Sequence, residues 1–310
     1  MSGMFLSHTP RILIIGDQGQ VAWELKRTLA PLGEIIAAGR SSSPVSIDLT
    51  RPDLLQEQVE KIRPDWIINA AAYTAVDKAE QESDLAMAVN GTAPGLLAQM
   101  AKRLGAFFVH YSTDYVFDGT ASSPYTEEAS PNPQSEYGRT KLAGEKAIQV
   151  EGGEYLILRT GWVYASRGHN FLRTIRRLSR EREELRIVAD QHGAPTWARH
   201  IAEATAHIIA RASINQELRR SCPGIYHMTA GGACSWYDFA CRIIDYQRRH
   251  EPVLTKTISP ITTNDYPLPA PRPRYSVLDN TKLRHTFGIA LPNWDVALQQ
   301  VQEELLLEKI

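Results

Sequence analysis

Arg11-Ile12-Leu13-Ile14-Ile15-Gly16-Asp17-Gln18-Gly19-Gln20-Val21-Ala22 joins an unbroken apolar run to a glycine-bearing turn and the start of a helical pattern. An apolar run without polar alternation reads as a strand buried on both faces, as in a parallel sheet covered by helices on either side. Val21, Leu25 and Leu29 then recur at helical spacing. Small residues between strand and helix let the backbone turn tightly and come close to a ligand. A helix N-terminus offers free amides and a dipole that favours an anion.

The same alternation continues outward. Ile35–Ala38 is a second short run; a helical pattern over Leu54–Ile62 leads to Asp65-Trp66-Ile67-Ile68-Asn69. A pattern over Ala86–Leu104 leads to Phe107-Phe108-Val109-His110-Tyr111, and Tyr155–Leu158 extends the series. Strands alternating with helices predict an α/β fold, a Rossmann-like doubly wound parallel sheet spanning residues 1–160 as a dinucleotide-binding domain. Beyond it the alternation loosens. Residues 161–310 are expected to form mainly a smaller C-terminal substrate domain, discontinuous, with segments returning to the first.

Within that part, Arg173–Arg186 is expected to be a charged helix with a solvated face, and Trp236–Arg248 a helix capped by Ser235. Tyr266–Arg274, with four prolines, predicts a rigid extended loop, and an amphipathic helix starts at Asp295, using Val296, Leu298, Val301 and Leu305.

Composition narrows the function classes. At 310 residues with 43% hydrophobic residues, the chain can bury a large core. A formal net charge of −1 is unlike the basic surplus of a nucleic-acid binder. Met1–Pro10 lacks a signal peptide's apolar stretch, and no apolar run approaches the roughly 20 residues of a membrane span. The expectation is a cytoplasmic protein with no nucleic-acid or membrane partner. Three cysteines, Cys222, Cys234 and Cys241, suit buried free thiols, and nine histidines without metal spacing predict no metal.

Gly16, Gly19 and Ala22 give the spacing Gly-x-x-Gly-x-x-Ala at the first strand-to-helix turn, where a dinucleotide pyrophosphate sits in such sheets. The second strand ends at Gly39-Arg40. An acid there would read a ribose 2′-hydroxyl, whereas Arg40 suits a 2′-phosphate, so NADPH is expected ahead of NADH. Asp48-Leu49 is placed beside the adenine, and Asn69-Ala70-Ala71-Ala72 ends a strand with residues small enough for close cofactor passage.

Tyr137 and Lys141 stand four apart, on one face of a helix. A neighbouring ammonium favours the phenolate, so Lys141 is expected to lower the pKa of Tyr137 toward working range. Thr113, at the end of Tyr111-Ser112-Thr113, could hydrogen-bond a substrate carbonyl. Arg272 or Arg274, after the prolines, is a candidate for a nucleotide pyrophosphate, with a structural role as the alternative.

With these residues in place, the chain resembles the extended short-chain dehydrogenase/reductase superfamily. The runs Asn69–Glu80, Ser112–Gly119, Arg159–Tyr164, Gly193–Thr196 and Arg272–Ser276 resemble its dTDP-4-dehydrorhamnose reductase family. The resemblance implies NAD(P)H-dependent reduction of the 4-keto group of dTDP-4-dehydro-L-rhamnose. It makes Tyr137 the proton donor, Lys141 a ligand of the nicotinamide ribose and Thr113 a holder of the carbonyl. Thr113, Asp114, Trp162 and Thr196 match substrate positions; Gly19, Gln20, Val21, Asp48, Leu49, Ala70, Ala71, Ala72 and Tyr111 match cofactor positions. Ala22 and Gly161 depart from the family's usual residues. A nucleotide-sugar partner and a homodimer are the expectations.

Two alternatives stay open. A nucleotide-sugar epimerase uses the same tyrosine and lysine but recycles its cofactor. A regulatory subunit of methionine adenosyltransferase is similar yet non-catalytic. A dehydratase is disfavoured because Asp114-Tyr115 stands where that relative has an acid pair.

Overall fold

The computed structural model describes residues 9–307. Residues 1–8 and 308–310, and so most of the Met1–Pro10 stretch, lie outside the described residues.

Strand β1 (Arg11–Ile15) turns Ile12 and Ile14 to one face and Leu13 and Ile15 to the other, and all four are buried. Such two-sided burial needs helices above and below. Strands β2 (Glu34–Ala38), β3 (Trp66–Asn69), β4 (Phe107–Thr113), β5 (Tyr155–Thr160) and β6 (Gly224–His227) join it in one sheet. The order is β6-β5-β4-β3-β1-β2, and every pairing is parallel. Chain direction across the sheet reverses between β1 and β3, which opens a crevice at their carboxyl ends.

Helix α1 (Gln20–Thr28) covers one face. On the other lie α2 (Pro52–Ile62), α3 (Ala93–Leu104) and α4 (Glu136–Glu151), and α5 (Ala198–Ile214) packs beside α1. Both α5 and β6 come from the second half of the chain but belong to the sheet's layers. A separate apolar core gathers Tyr164, Leu172, Ile175, Trp197, Phe239, Ile243, Leu298 and Val301. Helices Trp236–His250, capped by Ser235, and Trp294–Leu307 contribute to it, though Val296 is exposed.

Two expected helices are corrected. The charged helix ends at Glu181, and Glu184–Val188 is a strand paired in parallel with Thr257–Ile261. Leu185 is buried in that pairing, and the partner lies some 70 residues away, out of reach of a local periodicity reading. Its face is not simply solvated: Arg176 is buried, paired with Glu251 at 2.8 Å and bonded to Gln302 at 3.1 Å.

The pattern over Ala86–Leu104 is likewise broken, into Ser83–Met87, a π turn over Ala88–Thr92, and α3. Pro94 lacks the amide that would bond residue 90, which frees the Asn90 carbonyl. A Cβ on Gly144 of α4 would lie 2.1 Å from that carbonyl oxygen, so the glycine lets α4 pack onto the freed group.

Candidate active site

The crevice is lined first by the turn after β1. Gly16 has φ 102, a conformation that favours glycine, and a Cβ on it would stand 2.7 Å from the Ala71 amide nitrogen. The turn therefore lies directly against the Asn69–Ala72 strand end, where Asn69 Oδ1 accepts the Ala71 amide at 3.2 Å. Gly19 is the N-cap of α1, and no side chain caps that helix. The first turn carries no acid, so its amides at Gln20, Val21 and Ala22 are left for an anion. These residues fit a dinucleotide pyrophosphate. Gln20 Oε1 also accepts Asn170 Nδ2 at 2.8 Å, tying the turn to the second core.

At the outer end, Arg40 is exposed. Asp48 accepts both the amide and hydroxyl of Thr50, at 2.9 and 2.8 Å, and the amide bond chiefly holds its carboxyl below the ordinary value. Leu49 is buried in the core under β2.

The chemical end is built on β4 and α4. All seven residues of β4 are buried, and Thr113 ends it. Ser135 caps α4 by accepting the Gly138 amide at 3.2 Å, while Glu80 Oε1 accepts the Glu136 amide at 2.8 Å. A Cβ on Gly138 would meet the Tyr115 carbonyl at 2.3 Å, so its absence lets the helix start against that turn. Tyr137 then lies edge-on to the Tyr115 ring at 5.8 Å, with its hydroxyl within hydrogen-bonding reach of Thr113.

Lys141 is 1% exposed. Its Nζ donates to the Tyr111 carbonyl at 2.6 Å and meets His110 Nε2 at 3.0 Å. Burial brings it down to about 8, partly offset by the Glu145 carboxylate. Glu145 is itself clamped by Arg159 (2.7 and 3.0 Å) and Ser112 (2.5 Å). The expected lowering of Tyr137 by Lys141 is not what the structure shows. Burial pushes Tyr137 up to about 12, and the lysine nitrogen is engaged by His110 and Tyr111 instead.

Beside Thr113, Asp114 is 2% exposed. Its Oδ1 accepts Thr113 Oγ1 at 3.1 Å, and the Ser276 hydroxyl also stabilises the carboxylate. Burial pushes its carboxyl up to about 6. A Cβ on Gly161 would lie 2.7 Å from that carboxyl, so the glycine leaves the carboxyl its space. Trp162 follows with φ 50 and stacks flat on Trp236, ring centres 3.4 Å apart.

Three sequence-chosen residues turn out to have their side chains committed elsewhere. Thr196 is fully buried; its hydroxyl donates to the Ala194 carbonyl (2.9 Å) and accepts the Ala230 amide (3.1 Å). Arg272 makes a two-pronged pair with Asp77 (2.5 and 2.7 Å) and bonds the Ala270 carbonyl, so it anchors the proline loop. Tyr111 bonds Thr205 at 2.8 Å on the α5 side, and only its carbonyl reaches Lys141.

The Asn69–Glu80 run is now physically legible. Asp77 holds Arg272, Glu80 caps α4, and Asn90 grips the backbone of Tyr73 at 2.8 and 3.0 Å. His110 was missed by sequence reasoning; an imidazole directly after the apolar run Phe107–Val109, in a strand buried throughout, was the available signal.

This arrangement matches a known family over nearly the whole chain. The RmlD substrate binding domain family corresponds to residues 10–307. The chain belongs to it. A dTDP-4-dehydrorhamnose reductase of Burkholderia thailandensis is 50% identical, covering 96% of this chain and 99% of that protein. The crystal structure of a dTDP-4-dehydrorhamnose reductase from Clostridium acetobutylicum superposes with TM-score 0.87 at 37% identity, over 96% of this chain and 99% of that one. One from Bacillus anthracis, solved in complex with NADP, gives 0.85 at 34% identity, over 96% and 100%. No three-residue His, Cys, Asp or Glu cluster suited to a metal occurs among the described residues, nor any helix long and apolar enough to cross a membrane.

Proposed function

We propose that this RmlD-family chain reduces the 4-keto group of dTDP-4-dehydro-L-rhamnose to dTDP-L-rhamnose, with NADPH or NADH as reductant and Tyr137 as proton donor. The observation that carries the reading is the meeting of Tyr137 and Thr113 at the carboxyl edge of β4, in a family whose relatives bear this name. The Bacillus anthracis relative with NADP, together with the open amides of α1, supports the cofactor.

Bound NAD(P)H supplies the hydride to the sugar C4. Negative charge then grows on the C4 oxygen, and the reaction needs an acid at that atom. Burial keeps Tyr137 a phenol at neutral pH, which is the form that can give a proton to an alkoxide. Thr113, turning its hydroxyl from Asp114, orients the same oxygen, Asp114 accepts a sugar hydroxyl, and Trp162 walls the sugar. Lys141, held by His110 and Tyr111, meets the nicotinamide ribose. A cytoplasmic location and a homodimeric assembly accompany this reading as proposals.

The test is an absorbance assay at the reduced-nicotinamide band with dTDP- and UDP-linked 4-keto sugars. Net oxidation with the dTDP sugar is expected. A sugar turned over without net cofactor consumption would make the chain an epimerase, and no turnover of any sugar would overturn the reading.

A further inference from the structure

At the end of β2, Gly39 occupies the place where a Rossmann-type protein that reads NAD carries an acid for the ribose 2′-hydroxyl. Gly39 is buried, and a Cβ on it would lie 2.2 Å from Asp17 Oδ1 and 3.0 Å from Ser42 Oγ. The carboxylate of Asp17, reaching over from the β1–α1 turn, thus fills the space of the missing side chain. Its other oxygen, Oδ2, accepts Gln18 Nε2 at 2.7 Å, which leaves Oδ1 pointed at the strand end. Arg40 stands next in the chain, exposed, with the hydroxyls of Ser41, Ser42 and Ser43 following. One strand end therefore carries both a carboxylate and a guanidinium.

We propose that Asp17 is the cofactor-specificity residue of this site, accepting a hydrogen bond from the adenosine ribose 2′-hydroxyl and opposing the 2′-phosphate that Arg40 attracts. The proposal rests on the nicotinamide-cofactor reading above and refines its choice between the two cofactors. Arg40 taken alone points to NADPH. With Asp17 facing the same ribose, NADH is admitted as well, and the balance is set by the two opposite charges. A like-charge contact at a half-exposed position is worth about tenfold in an equilibrium constant.

The experiment is calorimetric titration of NAD+ and NADP+ into the full chain, its D17N and D17S variants, and R40A. Both Asp17 variants are expected to tighten NADP+ and weaken NAD+, moving the ratio of the two Kd values about tenfold or more toward NADP+. Arg40→Ala should move it the opposite way. If both dinucleotides bind but the Asp17 variants shift the ratio less than twofold, the assignment of Asp17 is overturned while the cofactor reading stands. If neither dinucleotide binds the wild-type chain, both are overturned.

Discussion

Asp114 offers a test of the site that needs no substrate. Its carboxyl is buried at 2% exposure, and burial outweighs the Ser276 and Thr113 hydroxyls in raising its pKa from the ordinary 3.8 to about 6. Between those values the folded protein holds more protons than the unfolded chain, so stability falls as pH rises through the window. At roughly 1.4 kcal/mol per pH unit, the ionised carboxylate costs the fold about 3 kcal/mol at neutral pH. Asp114→Asn keeps the shape and removes the charge. The amide must also replace a carboxylate bonded by the Ser276 and Thr113 hydroxyls, a cost of about 1–3 kcal/mol that does not vary with pH. The pH-dependent part is therefore the clean signal. Urea unfolding of both proteins at pH 4.5, 5.5, 6.5 and 7.5 should show the variant gaining about 2 kcal/mol relative to wild type across the series. The gain should level off above about pH 7. A difference that stays constant within about 0.5 kcal/mol would refute the idea that burial penalises this carboxylate.

Other outcomes follow from the same geometry. Tyr137→Phe should lower turnover by about 10²–10⁴-fold, the range of a positioned general acid, while the Kd for NADP+ measured by calorimetry stays within about twofold. With Lys141 titrating at about 8, kcat/KM should decline above that pH as the ammonium is lost; in Lys141→Arg, whose guanidinium stays charged, the pH profile should lack that limb. Asp77→Asn should release the proline loop at 266–274. Limited proteolysis would then cut there faster and KM for the sugar would rise, with a stability loss of only about 1 kcal/mol because the pair is partly exposed.

What could be read from the chain was what local spacing records. β1 to β5 announce themselves because residues such as Ile12–Ile15 and Trp66–Ile68 are apolar on both faces. β6, Gly224–His227, carries no such run, and it becomes a strand only by pairing with Leu156–Arg159. Glu184–Val188 sits beside a helical charge pattern, and its strand identity comes from distant Thr257–Ile261. In the site, Tyr137, Lys141 and Thr113 were legible from a four-residue spacing and a strand end. Their electrostatics were not: the partners of Lys141 are His110 and the Tyr111 carbonyl, contributed by β4 across the helix–sheet interface. Thr196 and Arg272 lie in motif-like runs, yet their polar groups are spent on Ala194, Ala230 and Asp77. A motif marks residues that matter without saying whether they touch substrate. Asp17 shows the converse: it stands outside the small-residue pattern of Gly16-x-x-Gly19, and the room for its carboxylate comes from Gly39 on the neighbouring strand.

Hydride delivery to the sugar C4, with Tyr137 supplying the proton, leaves an isotopic trace. Its most direct measurement is reduction of dTDP-4-dehydro-L-rhamnose by NAD(P)H carrying deuterium in the transferable position at nicotinamide C4, followed by NMR of the sugar product. One deuterium is expected at C4 of dTDP-L-rhamnose for each cofactor oxidised, formed far more slowly by Tyr137→Phe. Product without deuterium at C4, or full turnover by Tyr137→Phe, would contradict it.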